Sequence, residues 1–183
     1  MAFNIQEIRS QLLFDGARPS HFQVTIQNPV NNTGDLKTPF MCRASNIPPS
    51  TINFINVSYF GRKIKVAGDR TFDEAWTVTI MNDEDFLIRN AMEDWMSSIN
   101  SHEENLREFA SASPLLYKSQ AQVTQFSKTG IPIREYTFYG IFPTSLGNIQ
   151  LDWETNDQIE VFDVEFAYDY WEVTGGVTGN STA

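Results

Sequence analysis

Asp152, Glu154, Asn156, Gln158, Glu160 and Asp163 stand at positions one, three, five, seven, nine and twelve of the stretch DWETNDQIEVFD. That is the count with which a calcium-binding loop offers its oxygen ligands. Such a loop also needs a glycine at position six, to turn sharply, and a long bidentate carboxylate at position twelve. Here position six is Asp157, position twelve is the shorter Asp163, and the flanks look extended instead of helical. The count is read as an acidic strand and the turn before it, and no metal site is expected.

The stretch GRKIKVAGDRTFDEAW, residues 61–76, packs two glycines among basic and acidic side chains. A phosphate cradle would need Gly-Lys-Ser/Thr, or three spaced glycines, opening a helix. Neither pattern is present, and the chain continues into the alternating residues 76–81. Ile64 and Val66 alternate with Lys63 and Lys65 as in a strand. Gly68, Asp69 and Arg70 read as a tight structural turn, with the glycine supplying the backbone conformation and the ion pair fixing it.

Nucleophilic chemistry has little to stand on. There is no Gly-x-Ser-x-Gly elbow, and Cys42 has no identifiable partner in His21 or His102, the two histidines of the chain. The same scarcity leaves a His/Cys metal cluster unsupported. Paired carboxylates are plentiful, so a glycosidase dyad stays open at this point. The expectation is a protein with no catalytic residues and no cofactor.

At 183 residues the chain has room for one well-packed domain. Charged residues make up 20% and aromatics 13%, with 14 phenylalanines, the profile of a folded, aromatic-rich β protein. A formal net charge of −10 argues against a protein that clamps nucleic acid through its phosphates. A single cysteine, Cys42, excludes an internal disulfide, and within TPFMCRAS it reads as a core-facing strand residue. No apolar leader opens the chain and no run reaches membrane-spanning length, so no direct membrane anchoring is expected. The glycosylation sequons at Asn31, Asn56 and Asn180 are accordingly read as chance matches.

Period-two alternation dominates. Phe22, Val24 and Ile26 share one face, TPFMCRAS reads as a second strand, and Pro48 with Pro49 forces a protruding loop or edge turn. TINFINVSYF and RKIKVA read as a strand pair around Gly61, and Trp76, Val78 and Ile80 share a face of the next strand. One helix follows, with Asn82 as its cap, Asp83, Glu84 and Asp85 in its first turn, and an apolar stripe of Ile88, Met92, Trp95 and Ile99. Residues 100–116 read as a long connection or a short second helix. Two strands flank a turn at Lys128, Thr129 and Gly130, and PTSLGNIQLDW is a bend leading into a short strand. QIEVFDVEFAYDYWE closes the fold as its longest strand. Its alternation puts Glu160, Phe162, Val164, Phe166, Tyr168 and Tyr170 on a core face, and Asp163, Glu165 and Asp169 together on the opposite one. The expected architecture is mainly β, an antiparallel sandwich or barrel with one flanking α-helix. Residues 1–173 form a single domain, and residues 174–183 a loose tail.

Three blocks carry a resemblance: GARPSHFQV, GRKIKVAGDRTFDEAWTVTIMND and PTSLGNIQLDWETNDQIEVFDVEFAYDYWE. In collinear order, from residue 17 to residue 172, they resemble the tail tube proteins of contractile-tailed bacteriophages. Residues 28–37, 97–118 and those beyond 173 follow no pattern assignable to that family. The resemblance implies a small β-sandwich or barrel whose copies form hexameric rings through inter-subunit sheets. It implies rings stacked into a tube within the virion tail, assembled in the host cytoplasm. The implied partners are the chain itself, a sheath protein, baseplate or initiator and tail-terminator proteins, a tape-measure protein in the lumen, and DNA in transit without stable binding.

Two surfaces follow from joining the resemblance to the residues. The loop of Ile47, Pro48, Pro49, Ile52 and Phe54 interleaves apolar side chains with rigid prolines and is the expected ring-stacking element. Asp163, Glu165 and Asp169 are the expected lumen-facing acidic strip, since a hexamer carrying roughly −60 in formal charge would discourage DNA from adhering. The alternatives are the tube of a related contractile machine, tailocin or type VI-like, and a carbohydrate-binding or carbohydrate-active β-sandwich.

Overall fold

The computed structural model describes residues 5–12, 16–108 and 111–179. A helix α1 (Ile5–Gln11) precedes strand β1 (Phe22–Ile26), a 3-10 turn (Asn32–Gly34), a short helix α2 (Thr38–Met41) and β2 (Cys42–Ser45). Next come β3 (Thr51–Tyr59), β4 (Arg62–Thr71), β5 (Trp76–Met81), helix α3 (Leu87–Ile99) and the single-turn α4 (Pro114–Tyr117). Strands β6 (Ser119–Phe126), β7 (Pro132–Leu146), β8 (Val161–Ala167) and β9 (Tyr170–Gly175) complete the chain. All pairings are antiparallel, in the order β1-β6-β7-β8-β5-β2, with β9 also on β7 and with β3 and β4 paired only to each other. The mainly β architecture with a packed helix is as the alternation predicts.

The 15-residue β7 organises the barrel because it belongs to two sheets. Its Glu135–Tyr139 segment pairs with β9, and Phe142–Leu146 pairs with β8. Between them Gly140 takes a φ of 68°, and a side chain there would run into the Asp169 carboxylate. The strand bends at this point, and its partner must break to follow it. The predicted longest strand is therefore two, β8 and β9, separated by Tyr168 and Asp169. Crossing that corner shifts the alternation by one residue. Tyr168 and Trp171 pack inward, whereas Tyr170 lies outside, stacked on Tyr139 at 4.8 Å. Alternation in sequence carries no mark of a corner, so its phase is reliable only up to the bend.

The core forms between the sheets from Val24, Ile26, Val78, Ile80, Phe162 and Val164, centred on Trp76, Phe138 and Phe166. The Trp76 ring stacks on Phe138 at 4.4 Å and lies 5.3 Å from Phe166, while its Nε1 donates to the Ser45 hydroxyl at 3.0 Å. Helix α3 closes the barrel with Ile88, Met92 and Trp95 buried, as its stripe predicts, and Trp95 Nε1 donates to the Tyr117 carbonyl. Trp76→Ala is expected to lower stability by about 3–5 kcal/mol through lost burial and an unfilled cavity. Chemical denaturation read by fluorescence and circular dichroism checks this.

Local chemistry differs from the sequence expectation at four places. TPFMCRAS begins as α2, with Pro39 in its first turn, and becomes a strand only at Cys42. The helix cap is Phe86 in a left-handed conformation, not Asn82, and Asp85 accepts from the Leu87 N–H. Asn82 is drawn off to Glu160, and Lys37 bridges Asp83 and Asp85 at 2.5 Å each. Residues 147–160 contain no strand after the bend. The segment read as a tail is ordered at its start: β9 runs through Gly175, and the Val177 and Thr178 N–H groups donate to Pro132 and Ile133. Residues 180–183 of that segment, Asn180 of the third sequon included, lie outside the described residues.

Residues 28–37 turn out to be the element that seats α3. Buried Asn28 donates through Nδ2 to the Ala91 carbonyl at 2.8 Å and accepts from the N–H groups of Val30 and Asn31. Gly34 lies so close to Ile88 that a Cβ would sit 3.2 Å from the helix backbone. These are packing constraints between distant segments, which no local pattern announces.

Candidate assembly surfaces

β3 and β4 form an arm that, among the described residues, belongs to no other sheet. Nine- and ten-residue strands at about 3.3 Å per residue give it a reach of about 30 Å. Its turn is at Phe60 and Gly61, both with positive φ, of 40° and 79°. Every residue of β3 is exposed, and in β4 only Gly68 and Thr71 are partly covered. Register assigns the two faces. Ile55 opposes Val66, Val57 opposes Ile64 and Tyr59 opposes Arg62, giving an apolar face. Phe54 opposes Ala67, Asn56 opposes Lys65 and Ser58 opposes Lys63, giving a mixed, basic face on which Lys65 lies over the Phe54 ring at 4.3 Å.

Gly68, Asp69 and Arg70 are not a turn. All three lie inside β4, where the register slips between Ile52 and Phe54. Gly68 is needed there because a Cβ would approach the Asn53 carbonyl oxygen to 3.1 Å. It marks a β-bulge that lets the arm twist, a use of glycine that looks identical to a turn in sequence.

The predicted stacking loop divides in two. Ile47 packs against the core and Pro48 is buried, so these residues root the arm. Pro49 is exposed, and Ile52 and Phe54, each 55% exposed, lie in β3 itself. Three of the five expected residues are thus exposed, and the exposed apolar surface extends beyond them along the arm. Ile55, Val57, Ile64 and Val66 are 59%, 47%, 54% and 48% exposed, although their alternation matches that of a core strand. Alternation says which residues share a face, not whether anything covers it.

The acidic strip divides as well. Asp163 and Glu165 point outward from β8, and Asp163 accepts from the Thr79 hydroxyl at 2.6 Å. Asp169 does not join them. It sits at the corner, where its carboxylate takes Lys118 Nζ at 2.6 Å and its N–H donates to the Tyr139 carbonyl. The calcium-like count is dispersed too, since Asp152 accepts from Glu154 and Thr155 of its own turn while Asp163 belongs to a strand. Cys42 is half-buried beside the core, and burial pushes its thiol up to about 12, which keeps it protonated.

Among the described residues nothing pairs with the outer sides of β1, β2 and β9, which so offer open edges for pairing with another chain. The loop of residues 147–160 is a further exposed feature. Leu151, Trp153 and Ile159 are 82%, 98% and 68% exposed there, and an open cavity of about 400 Å³ is lined by Leu151, Asp152, Ile159 and Glu160 among others. Sequence reading missed Trp153, whose large apolar surface beside acids was the available signal.

A family model described as phage tail tube protein matches residues 17–174. The chain is 42% identical to the tail tube protein gp19 of Enterobacteria phage T4 over 159 residues, covering 86% of this chain and 92% of that protein. It is 28% identical to the tail tube protein of Serratia phage KSP90 over 169 residues, covering 90% and 93%. The fold is similar to a chain of the anti-feeding prophage tube-terminating cap, with a TM-score of 0.61 at 17% identity over 87% of this chain and 91% of that one. It is also similar to a chain of an extracellular contractile injection system sheath-tube complex, with a TM-score of 0.56 at 15% identity over 94% and 99%. On a family match along nearly its whole length and a relative sharing more than two residues in five, this chain belongs to the phage tail tube protein family.

Proposed function

We propose that the chain is the repeating subunit of a contractile-phage tail tube, six copies closing a ring and rings stacking into the channel for DNA. The observation that carries the assembly is the arm. A two-stranded ribbon with apolar side chains on its face is unstable as a free element in water and calls for a covering surface. The open edges of β1, β2 and β9 suit ring closure, where strand pairing between copies removes exposed backbone groups. Asp163 and Glu165 form the anionic patch assigned to the lumen, without Asp169. A sheath outside, baseplate and terminator proteins at the two ends, and a tape-measure protein in the lumen before DNA complete the set of partners. The subunit acts by shape and has no catalytic role; it assembles in the host cytoplasm and works in the virion tail. The likeness to injection-system chains favours a second reading, a tube that carries an effector, but the stronger sequence identity is with phage proteins.

Purified protein raised in concentration, with and without a tail-end nucleator, is expected to give six-fold rings and tubes by negative-stain microscopy. A chain that stays strictly monomeric under both conditions would refute the reading.

A further inference from the structure

We propose that the four-residue connection from β4 to β5, residues 72–75, is a latch with two positions that sets the angle of the β3–β4 arm. In the first position, the one in the structure, Phe72 is turned inward. In the second, Phe72 swings out and the Glu74 carboxylate takes its place. The latch belongs to the single subunit and stands apart from the tube reading.

The box beneath Phe72 is made of donors without acceptors. Phe72 lies edge-on to Tyr168 and Trp171, at 6.1 and 6.2 Å between ring centres. Tyr168 Oη, Trp171 Nε1 and Arg134 Nε are buried, and none meets an acceptor among the described residues. A donor buried in this way forfeits the hydrogen bond that water gave it. The three are neighbours. Trp171 opposes Phe138, its ring is 5.8 Å from that of Tyr136, and the Arg134 guanidinium lies over Tyr136 at 5.4 Å. Arg134 forms no ion pair among the described residues. Buried donors beside a cation with no anion are the chemical complement of a carboxylate. The body holds the box rigid, because Tyr168 and Trp171 flank the corner that Asp169 pins through Lys118 and the Tyr139 carbonyl.

The connection supplies the carboxylate. Asp73 and Glu74 are both exposed on it. Burial, and then the charges of Glu74 and Asp73, hold the Tyr168 hydroxyl above its usual range, which sets both acids close to the box. Asp73 is already engaged by the Thr71 hydroxyl at 2.8 Å, so Glu74, the longer side chain, is the occupant. The arm follows the latch because it joins the body only through residues 46–50 and 72–75. A turn of about 20° at that root carries the tip of an arm about 30 Å long by about 10 Å. An aromatic ring inward or a carboxylate inward are two discrete packings of one site, the form that a bistable element takes.

The test uses the full chain as dilute subunits. Spin labels at Ser58→Cys, near the end of the arm, and at Lys128→Cys, on the β6–β7 turn of the body, report the arm's angle in a Cys42→Ser background. Pulsed dipolar spectroscopy is expected to find two distances. Glu74→Ala and, separately, Tyr168→Phe should each reduce the second population at least fivefold, whereas Phe72→Ala should enlarge it. A single distance in the parent overturns the latch, as does a second population that survives either of the first two substitutions. A raised thermal midpoint for Tyr168→Phe with unchanged distances would show the hydroxyl to be a buried misfit and would overturn it as well.

Discussion

A subunit whose residues 56–65 are replaced by Asn-Gly is expected to fold, stay soluble and form no tubes. The replacement joins Ile55 to Val66, which face each other, and Asn-Gly is the two-residue turn that matches strand twist. Nothing removed belongs to the core: the deleted strand residues are exposed, and β3 and β4 pair only with each other. Calorimetry should therefore find a midpoint within a few degrees of the parent. Elongation is another matter, since the deletion removes Val57, Tyr59, Phe60 and Ile64 together with both lysines. At about 25 cal/mol per Å² of apolar surface buried, losing several such side chains weakens every contact that the arm makes. Tubes of parental length from the shortened chain would show that stacking runs through another surface. Deleting the residues around Pro48 is the wrong experiment, because Ile47 and Pro48 pack into the body and their loss would damage the fold as well as the arm.

Asp163→Lys with Glu165→Lys should leave tubes assembled and arrest or strongly slow DNA release, most severely at low salt. Both side chains point outward from β8, whose inward residues Phe162, Val164 and Phe166 are untouched by the change. The loss of the Thr79 to Asp163 hydrogen bond is a modest cost at an exposed site. The electrostatic change is large, about four charge units per subunit, repeated around every ring and along every stack. Lysines on a channel wall would neutralise phosphates and release their counterions, converting a repelling surface into an adhesive one. Screening confines the effect to about 8–10 Å at physiological salt, so it operates only from a wall that DNA passes closely. Ejection measured by dye uptake at two ionic strengths decides the matter. Unchanged kinetics at low salt would place these carboxylates away from the channel. Asp169 is excluded from the substitution because it holds Lys118 at the corner and would test the fold instead.

Local rules determined a good part of this molecule. Strict alternation at Trp76, Val78 and Ile80 and at Phe22, Val24 and Ile26 made their strands legible, and these faces are buried as the pattern requires. The three- and four-residue spacing of Ile88, Met92 and Trp95 did the same for α3. The family resemblance was also in the sequence, because three collinear blocks hold far more information than any short motif. What alternation could not encode is the presence or absence of a covering layer. Ile64 and Val66 have the same pattern as Val78 and Ile80, yet the first pair lies on a free arm and the second in the centre of the barrel. The phase of the closing strand was likewise decided by a distant residue, Gly140, whose bend in β7 broke β8 from β9 and carried Asp169 out of the acidic face. Gly68 was a bulge and not a turn because Asn53 lies across from it. Each of these depends on which segment lies opposite, and only tertiary packing brings those segments together.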